Sequence, residues 1–190
     1  MSIPTEETQV RVASEGASTP NPHHHAPKTP ANNPPGAQAF VEAFYHALSN
    51  ANPLAPFYTT TSKPYMALPL PADISINGTP HPDPASYHKL LTEYGTPRFE
   101  VESFDAHVAN PAFNLGGENV AGPRGSEKNG SRMSLLVQVA GRVTFGKGRE
   151  GVKKAFSEVF VLVPNWEALG RNPPRNIRRW LIMSQNLRTL

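Results

Sequence analysis

The run over residues 155–163 is apolar on both sides, and this limits what the chain can fold into more than any other feature. Val159, Val161 and Val163 fall on one face of an extended strand, and Phe156, Phe160 and Leu162 on the other. A strand that is apolar on both faces has to be covered on both. It stands between two further strand-like runs, 133–145 and 179–190, so the last third reads as a meander. In 133–145, Met133, Leu135, Val137, Val139, Val143 and Phe145 share one face, and Ser134, Gln138, Arg142 and Thr144 share the other. Gly141 inside that run predicts a bend or bulge. One layer of helix covers only one face of such a sheet. The surplus apolar face points to a partner chain, or else to a cover from the chain's own tail or from the loop at 109–130.

The elements before the meander supply the helix layer. Phe40, Phe44 and Leu48, with Ala43 and Ala47 beside them, form one stripe and predict a helix over residues 37–49. A second short helix is expected over 53–60, with Leu54, Phe57 and Tyr58 inward. Ile74 and Ile76 followed by Asn77-Gly78 give a hairpin turn, since Asn-Gly tolerates positive φ at both central positions. Residues 83–94 read as a helix with Asp83 as N-cap, Pro84 at its first position and Tyr87, Leu90, Leu91 and Tyr94 inward. Residues 98–108 alternate as a strand with one wet face, and 109–130 read as a long loop. Residues 1–36 are expected to be a disordered proline-rich tail, and residues 37–190 one domain, because the tail has too few large apolar groups to offset the entropy of ordering.

Several chemistries are excluded or weakly supported. With no cysteine there is neither a disulfide framework nor thiolate chemistry, which fits an intracellular protein. No apolar run is long enough to span a membrane, and the opening MSIPTEETQVRV lacks the pattern of a secretory signal. His23, His24 and His25 lie on the tail without preset geometry, so no metal or other cofactor is expected. No nucleophile elbow, zinc-helix pattern or phosphate loop is present. The glycine-rich stretch 146–151 joins two strands and reads as a hairpin loop. His46, His81, His88 and His107 fall on separate segments; pairings of His46 with Asp105 or of His88 with Glu158 in space stay open.

Charge is uneven. From Arg142 onward there are ten Lys or Arg against three Asp or Glu, while the remainder has eight against twelve. A basic C-terminal part fits a polyanion such as RNA, and equally fits solvated strand edges that discourage aggregation.

The order of elements resembles the nuclear transport factor 2-like family, an α+β cone in which a bent antiparallel sheet wraps around about three helices. Phe40-Val41-x-x-Phe44-Tyr45 is similar to that family's opening Phe-Val-x-x-Tyr-Tyr. Phe156-x-x-x-Phe160-x-Leu162 is similar to its penultimate strand. Trp180 with Arg188 eight residues on is similar to its closing Trp…Phe-Arg strand, with Leu187 in place of the usual Phe. The resemblance spans residues 38–190. Three branches of the family are relevant: enzymes of dehydratase or isomerase type, a homodimeric carrier of Ran-GDP, and the small subunits of heterodimeric mRNA export receptors. The Ran carrier has acidic residues in the hairpin where this chain has Lys147, Arg149, Lys153 and Lys154. The proline-rich tail, long loop and basic hairpin look most like the fungal export subunits.

That resemblance implies a non-catalytic protein of the nucleus and nuclear pore, shuttling to the cytoplasm. It implies pairing through the sheet with a similar domain of a large subunit. It also implies contact with phenylalanine-glycine repeats of nucleoporins, and with RNA or pre-ribosomal particles. The expected partner-binding residues are Phe160, Leu162, Trp180, Ile182, Gln185 and Arg188. By the resemblance, Arg188 forms an ion pair with an aspartate of the large subunit. The expected RNA-binding residues are Arg124, Lys128, Lys147, Arg149, Lys153 and Lys154. Strand parity alone leaves open which alternate set of side chains faces the partner.

Overall fold

A computed structural model describes residues 34, 36–93, 95–117, 132–146, 151–170 and 172–190. The expected tail, its three histidines, Tyr94 and most of the long loop lie outside the described residues.

The first helix, α1 (Ala37–Ser49), follows its apolar stripe: Phe40, Phe44 and Leu48 are buried, with Val41, Tyr45 and Ala47. The stretch expected as a second helix forms two single 3₁₀ turns, Ala55–Phe57 and Thr59–Thr61. Pro56 and three threonines favour short turns over a longer helix, yet Leu54, Phe57 and Tyr58 all point inward. A short helix, α2 (Lys63–Met66), follows. Strands β1 (Asp73–Ile76) and β2 (Thr79–His81) form the Asn-Gly hairpin, with Asn77 at φ 52° and Gly78 at φ 85°. Helix α3 (Pro84–Glu93) is capped as expected: Ser86 N donates to Asp83 Oδ1 at 2.8 Å.

Three long strands and a fourth complete one sheet: β3 (Arg98–Asn110), β4 (Ser134–Phe145), β5 (Val152–Pro164) and β6 (Trp180–Thr189). The strand order is β2-β1-β6-β5-β4-β3. Neighbours pair antiparallel except β1 and β6, which run parallel. The irregularity predicted near Gly141 falls on the facing strand, where the β3–β4 register shifts between Val101 and Ser103. Gly141 is required by close approach, because a Cβ there would lie 2.1 Å from the Glu100 carbonyl oxygen.

The helix layer and the inner sheet face enclose the core. Phe44 meets Phe57 and Phe160 edge-on at centroid distances of 5.3 and 5.1 Å, and Phe40 meets Phe160 at 5.4 Å. Each such ring stabilises by about 2 kcal/mol through burial. A second, smaller core sits apart from the first, with Tyr65, Val163, Trp166 and Leu181 at its centre. There Phe113 stacks on Trp166 and Trp166 Nε1 donates to Leu115 O at 2.9 Å. A Cβ on Gly117 would meet the Trp166 ring at 2.5 Å, so the backbone at 115–117 lies flat on the indole. Residues that read as part of a long loop are thus built into a core of their own.

Candidate partner-binding face

The alternation of β5 separates two surfaces of opposite character. Phe156, Glu158, Phe160 and Leu162 are buried, whereas Ser157, Val159 and Val161 are only partly covered. Phe160, Leu162, Trp180, Ile182 and Gln185, expected at a partner interface, lie inside the chain. Helix α1 and the 3₁₀ turns pack on that face, so the five residues are buried within the chain's own core rather than presented on the outward face. Of the expected set, only Arg188 points outward.

The outward face is assembled by register. Leu136 of β4 stands opposite Val161 of β5, and Val161 opposite Ser184 of β6. In the next row Gln138 stands opposite Val159, and Val159 opposite Asn186. In the third, Ala140, Ser157 and Arg188 are aligned. Leu136 remains 41% exposed on β4, one strand in from the β3 edge. Toward one end the second core covers Val163 and Leu181 and packs against Met183. The uncovered remainder is an apolar centre of Leu136, Val159 and Val161 with a polar border of Gln138, Asn186 and Arg188. An apolar centre with a polar rim is the anatomy of a protein interface.

Arg188 is held in place by local chemistry. Its Nε donates to Asn186 Oδ1 at 3.2 Å. Its Nη1 lies 3.0 Å from the point a Cβ on Gly78 would occupy. The Asn77-Gly78 turn is in turn tied to β6, since Asn77 N donates to Leu187 O and Thr189 N donates to Asn77 Oδ1, both at 2.8 Å. Among the described residues no carboxylate pairs with Arg188.

The basic set is divided. Arg124, Lys128, Lys147 and Arg149 lie outside the described residues. Lys153 Nζ pairs with Glu100 Oε2 at 2.8 Å, and that hydrogen bond holds the Glu100 carboxyl below the usual range. Arg142 pairs with Glu102 at 2.9 Å. Lys153 is therefore partly neutralised, and Lys154 is exposed without an ion pair among the described residues. The histidine pairings left open do not form: His107 takes Asp105, and His88 Nε2 bonds to Ala51 O at 3.0 Å.

Inside the cone lies a polar cluster that the sequence reading missed. Glu158 is 0% exposed and accepts hydrogen bonds from the Tyr45 hydroxyl and from Gln185 Nε2. The Tyr58 hydroxyl donates to Gln185 Oε1. Burial pushes Glu158 up to about 7, against the two hydrogen bonds that favour its charged form. Burial likewise raises Tyr45, Tyr58 and Tyr87 well above the ordinary tyrosine value. Glu158 shares strand parity with Phe156 and Phe160, and that signal was present in the sequence. Neither the groove along α1 nor the one beside Asn165 is lined by Glu158 or its partners. No group of three metal-ligating side chains converges among the described residues.

A helix-filled cone whose outer sheet face is only partly covered among the described residues defines the chain as a protein of the nuclear transport factor 2-like class. No family model and no curated protein sequence matches it. Solved structures do. A chain of the complex of a Sac3N peptide bound to Mex67:Mtr2 matches at 30% identity with a TM-score of 0.71, over 82% of this chain and 97% of that one. A chain of the Chaetomium thermophilum Mex67 NTF2-like domain complexed with Mtr2 matches at 30% identity and 0.70, over 82% and 96%. The structure of Mtr2 matches at 28% and 0.68, over 82% and 97%. The chain belongs to the nuclear transport factor 2-like family, and within it is similar to Mtr2.

Proposed function

We propose that this protein is the small subunit of a heterodimeric nuclear mRNA export receptor. It pairs through its outward sheet face with the nuclear transport factor 2-like domain of a large subunit of the Mex67 kind. The observation that carries this reading is the uncovered face itself: Leu136, Val159 and Val161 lie beside Arg188, whose charge has no carboxylate partner among the described residues. The likeness to structures of Mex67 and Mtr2 in complex supports it. The apolar rows supply affinity, and Arg188 selects a partner that offers a carboxylate. An ion pair buried on docking contributes modest net affinity but fixes partner choice, and breaking it costs on the order of 3–5 kcal/mol. Contact with phenylalanine-glycine nucleoporin repeats, shuttling between nucleus and cytoplasm, and phosphate contacts to RNA or pre-ribosomal particles belong to the same reading. Lys154 and the basic residues outside the described set supply those phosphate contacts.

Co-expression with the large subunit's domain, followed by mass measurement, tests the pairing. A one-to-one complex that Arg188→Asp abolishes is the expected result. A soluble monomer that ignores the partner, or wild-type affinity in the variant, overturns the reading.

An enzyme of the same fold has one observation in its favour, the buried acid near neutrality. Against it, Glu158 is fully buried and both its oxygens are engaged by Tyr45 and Gln185.

A further inference from the structure

Of the ten Lys or Arg residues from Arg142 onward, four stand between Arg171 and Arg179, and all four are arginine. Three of them, Arg175, Arg178 and Arg179, are described, in the connection that leads into β6. Arg175 and Arg179 are exposed. None of the three forms an ion pair among the described residues, whereas Arg142 and Lys153 are taken by Glu102 and Glu100. The connection is pinned in place: Asn165 N donates to Arg179 O at 2.8 Å, and Asn165 Nδ2 donates to Arg178 O at 2.9 Å. A fixed group of unpaired arginines favours phosphate, because the planar fork binds two oxygens at once.

These arginines border an apolar slot. The Arg178 guanidinium lies 3.8 Å over the Phe57 ring, and burial lowers its pKa. Its side chain also lines the groove along α1, of about 240 Å³. The rest of that groove is largely apolar, with Ala39, Ala43 and Ile177 beside Phe40 and Phe57. Arg179 lines the same groove, its Cδ 4.0 Å from the point a Cβ on Gly36 would occupy. Phe57 and Trp180 belong to the main core, so the site lies on the helix side of the sheet and Arg188 on the other. An acidic peptide would satisfy the charges and leave the slot unused. Single-stranded RNA uses both: its phosphates pair with arginine, and an unstacked base stacks on a guanidinium plane and presents flat apolar faces. A duplex keeps its bases stacked and offers none to the slot.

We propose that residues 175–179 and the groove along α1 bind single-stranded RNA, with Arg175 and Arg179 on its phosphates and one unstacked base in the groove against Arg178. This rests on the RNA contact in the proposed function and adds a second site to the β4–β5 hairpin. It does not compete with the large subunit, whose proposed face is on the opposite side of the sheet.

The full chain, alone and with the large subunit's domain, is titrated with a fluorescent single-stranded oligouridylate over a range of salt concentrations. Arg175→Gln with Arg179→Gln is expected to weaken binding about tenfold and to flatten the slope of log K against log salt by about 0.7 for each lost phosphate contact. Arg178→Lys keeps the charge and removes the plane, so it is expected to weaken binding about tenfold at an unchanged slope. Urea midpoints check that each variant is folded. Parent-like affinity and slope in the double variant overturn the proposal. If Lys153→Gln with Lys154→Gln then removes binding, the RNA contact of the proposed function stands without this site. A parent chain that binds no oligouridylate overturns both. Equal displacement by polyglutamate assigns the patch to an acidic protein segment, and loss of RNA on adding the large subunit's domain places RNA on the outward face; either result overturns the proposal.

Discussion

Arg188 lies across Gly78, with its Nη1 3.0 Å from where a Cβ on that glycine would sit. The hairpin turn is therefore part of what positions the charge. Gly78→Ala is expected to lose about 1 kcal/mol of stability from backbone strain at φ 85°. Gly95→Ala carries the same strain at φ 83°, but nothing lies within 4 Å of its added methyl group. Denaturant midpoints of the two variants should agree. Affinity for the large subunit should fall about tenfold in Gly78→Ala alone, the effect of a misplaced ion pair. Equal affinities would show that the turn does not place Arg188.

Glu158 makes stability depend on pH in a direction opposite to that of a surface carboxylate. Its folded value is about 7 and the ordinary value is 4.5. The native state therefore holds a proton that the unfolded chain has released. Its contribution is complete below pH 4.5, declines as pH rises, and is lost above about pH 7. The separation corresponds to about 3 kcal/mol. Urea unfolding at pH 5 and pH 8 measures it. Glu158→Gln should flatten that slope, because a neutral amide keeps the shape and still accepts one hydrogen bond. A slope unchanged in the variant would assign the pH dependence to other groups.

Helices α1 and α3, the Asn-Gly hairpin and the long strands were legible because each rests on a local signal: the Phe40-Phe44-Leu48 spacing, the Asp83-Pro84 start, the positive-φ turn, the alternation of residues 133–145; the stretch 53–60, expected as a helix, was misread because Pro56 and three threonines break it into single turns. The choice of outward face was not legible. In β5 both Phe160 and Val161 are apolar, and only the contact of Phe160 with Phe40 and Phe44 decides which turns inward. The Tyr45–Glu158–Gln185–Tyr58 cluster joins α1, the residue between the two 3₁₀ turns, β5 and β6, so its members are far apart in the chain. Strand parity marks Glu158 as inward, but its partners are fixed only by tertiary packing. Trp166 was missed for a related reason: its core is built from Phe113, Tyr65 and Leu181, which share no periodic pattern. Arg188 was singled out through the closing-strand resemblance, and the register sets it beside Ser157 on the outer face.

Gly141 tests the close approach of β3 and β4. A methyl group there would sit 2.1 Å from Glu100 O and 2.9 Å from the Phe156 ring. Backbone cannot yield cheaply, so Gly141→Ala is expected to cost about 3 kcal/mol or more, in the range of severe overpacking. Gly170→Ala meets its nearest atom at an ordinary 3.5 Å and should change stability by less than about 0.5 kcal/mol. Thermal unfolding of both variants distinguishes steric demand at Gly141 from a general intolerance of glycine replacement.

The two faces of the sheet predict opposite outcomes for two substitutions one strand apart. Phe160 is buried against Phe40 and Phe44, so Phe160→Ala should cost about 3–5 kcal/mol of the chain's own stability. Leu136 is exposed on the outward face, so Leu136→Glu should leave the unfolding midpoint of the isolated chain within about 0.5 kcal/mol of the parent. If that face receives the large subunit, the same Leu136→Glu chain places an unpaired carboxylate in an apolar interface. Affinity should then fall by about 100-fold or more, as expected for a desolvated charge at an interface centre. Titration of the large subunit's domain against the folded variant provides the measurement. Unchanged affinity would remove the outward face from the interface and with it the proposed role of Val159, Val161 and Arg188.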